Sequence, residues 1–263
     1  MKSWLVIGQF VPGDSILHRL DPRTKMLIIF SYVIIVFFAD DSIGYGLLTL
    51  FAVIVVALSK LPITFILKGI MPVWFFILFS FFIHLFFTNE GQLLWQLGPI
   101  TIYEGGLLQG LIISLRFFLL IMITSLLTLT TSPMEITDGL ETLLQPLKKW
   151  KVPIHELALM LSISLRFIPT LMEELDKISK AQASRGVDWK TGTIKSRIYA
   201  IVPLLVPLFI SAFRRAEELA MAMEARGYRG GEGRTKLRQL RFTRIDLYAF
   251  LFYSCVIVLF FIL

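Results

Sequence analysis

The sequence predicts an all-α integral membrane protein: about five transmembrane helices, plus a cytoplasmic or interfacial helical domain with two long crossing helices. Three observations carry this expectation. The 263 residues are 56% hydrophobic, with 23 Phe, and only 17% are charged, whereas soluble domains average about one quarter charged. Mean hydropathy is +0.75. Apolar stretches of spanning length recur, and the basic residues gather on one side of them.

The N-terminal "MKSWLVIGQFVPGDS" has one Lys and a short apolar run broken by Gly8 and Pro12. It lacks the hydrophobic core and cleavage site of a secretory signal, so no removed leader is expected. A bilayer core takes roughly 17 to 25 apolar helical residues. The first span is expected from Pro22 to Ala39 in "LDPRTKMLIIFSYVIIVFFAD", because Asp21 suits an N-cap and Pro22 the first helical position. At 1.5 Å per residue it would measure about 27 Å, enough for a thin span. "DDSIGYG" turns the chain into a second span that ends near Ser59. A third lies within "FILKGIMPVWFFILFSFFIHLFF" and a fourth within "GGLLQGLIISLRFFLLIMITSLLTLTT". The last is "IDLYAFLFYSCVIVLFFIL". Residues 1–131 thus hold the N-terminal part and four spans, and residues 243–263 the final one.

Charge orients these spans. The turn after the first holds Asp40 and Asp41, and the segment between the third and fourth holds Glu90 and Glu104, with no Lys or Arg in either. The other side collects Lys2, Arg19, Arg23, Lys25, Lys60, Lys68 and every basic residue from Lys148 to Arg244. By the positive-inside rule the N-terminus is cytoplasmic and the C-terminus outside.

Residues 132–242 are too many for a loop without structure of its own. "SPME" at Ser132–Glu135 is a capping box with Pro at the first helical position. One long helix is expected at about 153–186, kinked at Pro169, and another at about 194–227, with Pro203 and Pro207 inside and Gly227 past its end. Two stretches here, "PIHELALMLSISLRFIPTLM" and "IYAIVPLLVPLFISAF", are apolar enough to suggest spans. The second has two prolines and is flanked on both sides by Lys195, Arg197, Arg214 and Arg215, where a span carries its positive charge on one side. Both are read as interfacial, or buried against another apolar protein; the alternative is a buried hairpin of two true spans.

Little chemistry is present. No G-x-x-x-x-G-K-[ST] occurs, so no P-loop nucleotide site is expected. No Ser/His/Asp or Cys/His set suggests nucleophilic catalysis, and one Cys (Cys255) with three scattered His (His18, His84, His155) offers no metal-site spacing. The chain is expected to bind no cofactor or metal and to be no enzyme. "MEELDK" reads as a solvated face. His84 reads as an interface side chain. Arg116, inside the fourth span, is the costliest intramembrane residue. Pairing, internally or with a partner subunit, is the favoured reading, with a place on a substrate path as the alternative.

"AQASRGVDW" and "AMEARGYRG" each follow a long helical pattern and end in Arg-Gly: Arg185-Gly186 and Arg226-Gly227. Glycine at the position after a C-cap takes the left-handed conformation, and Arg near a helix C-terminus meets the negative end of the dipole. Three Arg-Gly pairs occur, counting Arg229-Gly230, so the dipeptide alone is weak and its setting decides. Ala212, Ala216 and Ala220 form a strip at i, i+4, i+8, and Ser179 with Ala183 offers a counterpart, which suits a close helix crossing. Met221, Met223, Tyr228 and Trp189 are residues favoured at interfaces. Two crossing helices with protruding Arg ends would make a two-pronged cytoplasmic docking surface.

"PGDSILHRLDPRTK" (Pro12–Lys25), "SLRFIPTLMEELDKISKAQASRG" (Ser164–Gly186) and "PLFISAFRRAEELAMAMEARGY" (Pro207–Tyr228) carry a resemblance over essentially the whole chain. The chain resembles the transmembrane T component (EcfT/CbiQ type) of energy-coupling factor transporters, a branch of ABC importers for vitamins and metal ions. The resemblance implies that residues 132–242 are a coupling domain whose two helices cross as an X and insert their ends into grooves on two ATPase subunits. On that basis Ser184, Arg185, Gly186, Ala225, Arg226 and Gly227 are the ATPase contacts, and Ala183, Ala212, Ala216 and Ala220 serve the crossing. The family motif is often Ala-Arg-Gly; Ala225 keeps it and Ser184 departs from it. The implied partners are a pair of ATPases, as a heterodimer, that hold the ATP and Mg, and a membrane-embedded substrate-binding S component, one of several interchangeable ones, for vitamins or related micronutrients. The implied setting is a bacterial cell membrane, with no nucleic acid. Rival readings are a self-sufficient secondary transporter with Arg116 on its path, and a membrane anchor whose basic region binds anionic lipid.

Overall fold

A computed structural model describes residues 10–39, 41–97, 100–186, 194–230 and 240–262. Trp189 lies outside them. The chain divides into two compact units, Met1–Thr142 with Leu240–Leu263, and Leu143–Gln239.

In the first unit α1 is a single turn, Ile16–Arg19, capped by the Ser15 hydroxyl, and α2 covers Pro22–Phe37 with Asp21 as N-cap. The helix stops two residues short of the expected Ala39, because Phe38 turns its N–H onto the Ile35 carbonyl in a tightened last turn. Then follow α3 (Ser42–Ser59), α4 (Ile63–Phe87), α5 (Glu104–Thr130), α6 (Pro133–Leu144) and, after the second unit, α9 (Arg244–Ile262). The capping box that opens α6 forms in both directions: Glu135 N–H donates to the Ser132 hydroxyl and Ser132 N–H to the Glu135 carboxylate.

The core gathers around α5. Leu119, Ile123 and Leu126 are buried against Tyr32 and Val36 of α2, Leu48 and Phe51 of α3, and Ile66, Ile70 and Ile77 of α4. Tyr32 buries its ring and donates its hydroxyl to the Leu48 carbonyl at 3.2 Å. Phe51 stacks on Tyr32 and on Phe252, which draws α9 into the same cluster. Glycines set the closeness of α4 and α5. A Cβ at Gly106 would lie 3.0 Å from the backbone oxygens of His84 and Thr88, and one at Gly110 would lie 3.2 Å from that of Phe81.

A short antiparallel hairpin, β1 (Leu93–Leu97) and β2 (Ile100–Tyr103), joins α4 to α5. It was not among the expected elements; its sequence signal is an apolar run on each side of Gly98-Pro99, a turn pair outside the described residues.

The second unit contains a 3₁₀ turn (Gln145–Trp150), α7 (Ile154–Ser184) and α8 (Ile194–Ala225). Among the described residues six helices are long and apolar enough to cross a membrane: α3, α4, α5, α7, α8 and α9. α2, counted among the five expected spans, has 16 residues, about 24 Å, and is not one of the six. α7 and α8 qualify by length, yet their best windows have mean hydropathy 1.3 and 1.4, against 2.2 to 2.3 in the other four. That gap, like their flanking charges, sets the pair apart from the remaining spans.

Candidate functional site

The two Arg-Gly ends share a left-handed glycine whose N–H bonds to the carbonyl three residues back. α7 closes at Ser184, with Arg185 as its C-cap and Gly186 at φ +83°. Arg185 N–H donates to the Gln182 carbonyl and Gly186 N–H to that of Ala183, both at 3.0 Å. α8 closes at Ala225, with Gly227 at φ +73°. There Gly227 N–H donates to Glu224 O at 2.9 Å and Tyr228 N–H to Met223 O at 3.0 Å, the paired bonds of a Schellman cap. Among the described residues, and apart from the chain neighbours, no atom lies within 4 Å of a Cβ built on either glycine, so what calls for glycine there is the left-handed backbone. The third pair, Arg229-Gly230, follows the cap and ends no helix.

Ser184, Arg185, Gly186, Ala225, Arg226 and Gly227 are all exposed. Both guanidinium groups therefore stand in solvent, beside the last carbonyls of a helix more than 30 residues long. Ser184, which departs from Ala, turns its hydroxyl back onto the Lys180 carbonyl at 3.1 Å. That bond satisfies the added polar group within α7 and leaves a small surface like that of alanine.

Arg215 Nη2 donates to Glu174 Oε2 at 2.5 Å, and Gln182 Nε2 to the Pro203 carbonyl at 3.4 Å. Moving forward along α7 thus means moving backward along α8. The helices pass each other antiparallel, and their C-terminal tips point away from one another. Arg226 lies 11 residues, about 16 Å of helix, beyond Arg215. Ala212 is half-buried, whereas Ala183, Ala216 and Ala220 are exposed. Met221 is exposed and Met223 and Tyr228 half-buried. "MEELDK" is not wholly a solvated face, because Glu174 is spent on Arg215. Glu174, Arg215 and Gln182 were not singled out as functional residues; opposite charges on two helices give no sign of pairing until the crossing register is known.

Arg116 is internally paired. Its Nε and Nη2 donate to the Tyr45 hydroxyl at 2.9 and 2.6 Å, and Nη2 also to the Ala39 carbonyl at 3.2 Å. The guanidinium also lies 5.5 Å from the centre of the Phe37 ring. It joins the end of α2 to α3 and α5.

A second polar cluster gives "DPRTK" a structural purpose. The buried Lys25 donates to the Thr130 carbonyl and Thr131 hydroxyl, each at 3.0 Å, where α5 ends. Buried Asp246 accepts from Thr243 N–H and hydroxyl, both at 2.7 Å, and from Asp21 N–H at 2.8 Å. Asp21 in turn holds Arg23, which lies over the Phe242 ring at 4.1 Å.

These features define a multi-pass helical membrane protein with candidate docking tips on a pair of long helices. Residues 13–237 match the CbiQ family model, described as cobalt transport protein. Proteins named "Energy-coupling factor transporter transmembrane protein EcfT" are close relatives. That of Bacillus subtilis (strain 168) is 61% identical over 94% of this chain and 93% of its own length. That of Exiguobacterium sibiricum is 55% identical over 92% of each, and that of Streptococcus thermophilus 51% identical over 90% and 89%. The chain belongs to the EcfT/CbiQ family, the transmembrane components of energy-coupling factor transporters.

Proposed function

We infer that this chain is the scaffold and coupling subunit of an importer of vitamins or related micronutrients, in which Arg185 and Arg226 each engage one of two ATPase subunits. The observation that supports this most is the repeated tip: two exposed Arg-Gly caps, each closed by a left-handed glycine, at the ends of two long helices that point apart. A guanidinium at each tip suits a carboxylate in a partner's groove, where it bonds bidentately. ATP and Mg belong to the partners, since this sequence has no Walker-type loop. Closing and opening of the ATPase pair would move the tips relative to each other. The apolar, proline-bearing stretches of α7 and α8 would pass that motion to a membrane-embedded S component that carries substrate specificity. The positive-inside pattern supports a cytoplasmic coupling domain and N-terminus, an outward C-terminus and a place in the bacterial cell membrane. The exposed Ala183, Ala216 and Ala220, with Ala212, remain the strip on which the helices could slide closer during that motion.

Purification of the tagged chain in mild detergent, with identification of what accompanies it, tests the reading. Two P-loop ATPases and at least one further apolar membrane protein are expected. A chain that purifies alone and transports alone contradicts it.

A further inference from the structure

Pro207 lies four residues after Pro203 within α8. In an α-helix the carbonyl of residue i accepts from the N–H of residue i+4, and proline has no N–H. Pro207 therefore leaves the Pro203 carbonyl without its helical donor. A side chain of α7 takes that place: Gln182 Nε2 donates to it at 3.4 Å, at the long end for an amide donor. Only the amide nitrogen of Gln182 can serve a carbonyl, so the orientation of the side chain follows from the contact. Gln182 also accepts, through its own backbone carbonyl, the N–H of Arg185 at 3.0 Å. One residue thus closes the last turn of α7 and reaches the proline pair inside α8.

We propose that Gln182 is a positioning residue that fastens the Arg185 tip to the proline-bearing segment of α8, so that displacement of the tip is delivered to the turn that lacks its own backbone hydrogen bond. The proposal rests on the coupling function inferred above. The Glu174–Arg215 pair is a second fastening, eight residues or about 12 Å farther back along α7. One contact alone would be a pivot; two hold the angle between the helices. The fastening at Gln182 is the one next to the tip, and its acceptor exists because two prolines are spaced four apart.

The test uses the full complex in a Cys255→Ser background. Nitroxide labels on Lys180→Cys and Tyr199→Cys, both exposed positions, report the α7–α8 separation by pulsed electron paramagnetic resonance. Gln182→Leu is expected to broaden the distance distribution. It is also expected to lower substrate imported per ATP hydrolysed about fivefold, the size of one neutral hydrogen bond, with the ATPases still bound. Adding Pro207→Ala lets the helix supply its own donor to the Pro203 carbonyl. In that background Gln182→Leu should change the distances no further, whatever Pro207→Ala does to transport. An unchanged distribution in the single variant, or the same broadening with and without Pro207→Ala, overturns the proposal. The distance is read whether or not ATPases are present, so their absence counts against the coupling function and leaves this measurement standing.

Discussion

The backbone N–H of Asp21 donates to the carboxylate of Asp246 at 2.8 Å, a buried bond between residues 225 positions apart. The same carboxylate accepts two bonds from Thr243 as α9 begins, so one side chain starts the last helix and anchors the cap of α2. Asp246→Ala would leave the buried Asp21 N–H and the two donors of the exposed Thr243 without their acceptor. A loss of about 3 kcal/mol of stability is expected, seen as a lower thermal midpoint of the purified complex. Asp246→Asn, which keeps one acceptor oxygen, should lose less. Equal midpoints for Ala and wild type would mean that the cluster is not structural.

Arg116 is bonded to Tyr45 and Ala39, and this separates its structural role from a place on a substrate path. Arg116→Met removes the donors and retains much of the side-chain length. It is expected to reduce the amount of complex in the membrane severalfold, while transport per assembled complex stays within about twofold of wild type, because fold stability sets abundance. Normal abundance with transport abolished would restore the path.

Much of the architecture is legible in the sequence because its signals are local. Asp21 and Pro22 start α2, Ser132 with Glu135 starts α6, and Gly186 and Gly227 end the two long helices, each within one turn of the residues concerned. The unexpected features need partners from elsewhere in the chain. Lys25 is buried because the end of α5 supplies a carbonyl and a hydroxyl, and Glu174 is paired because the helix crossing brings Arg215 to it. α7 and α8 are expected at the interface because of their flanking charges, yet both are long and apolar enough to cross a membrane, with lower mean hydropathy than α3, α4, α5 and α9.

Gly186 and Gly227 have positive φ and, among the described residues, open space around them, so alanine there is expected to cost backbone strain more than packing. Each Gly→Ala is expected to destabilise its cap by about 1 kcal/mol and Gly→Asn by less, because Asn tolerates the left-handed region. The readout is ATPase retention during gel filtration: Ala variants should shed ATPases sooner than Asn variants. Indistinguishable Ala, Asn and wild-type tips would show that cap conformation does not matter to docking.

Gly106 presents the opposite case, with no room against the α4 backbone. Gly106→Ala should force α4 from α5 and cost about 2 kcal/mol, within the range for overpacking. Gly46→Ala in α3, where nothing lies within 4 Å, should be neutral or gain up to about 1 kcal/mol of helix propensity. The paired thermal midpoints decide whether close approach, and not glycine itself, governs the α4–α5 contact.

The most direct measurement compares Arg185→Glu, Arg226→Glu and the double variant for ATPase co-purification and substrate uptake in cells producing the whole transporter. Each single change is expected to weaken ATPase association or uptake, and the pair to abolish uptake while the chain still accumulates in the membrane. Normal uptake by the double variant would contradict the assignment of the two tips as the sites through which ATP drives transport.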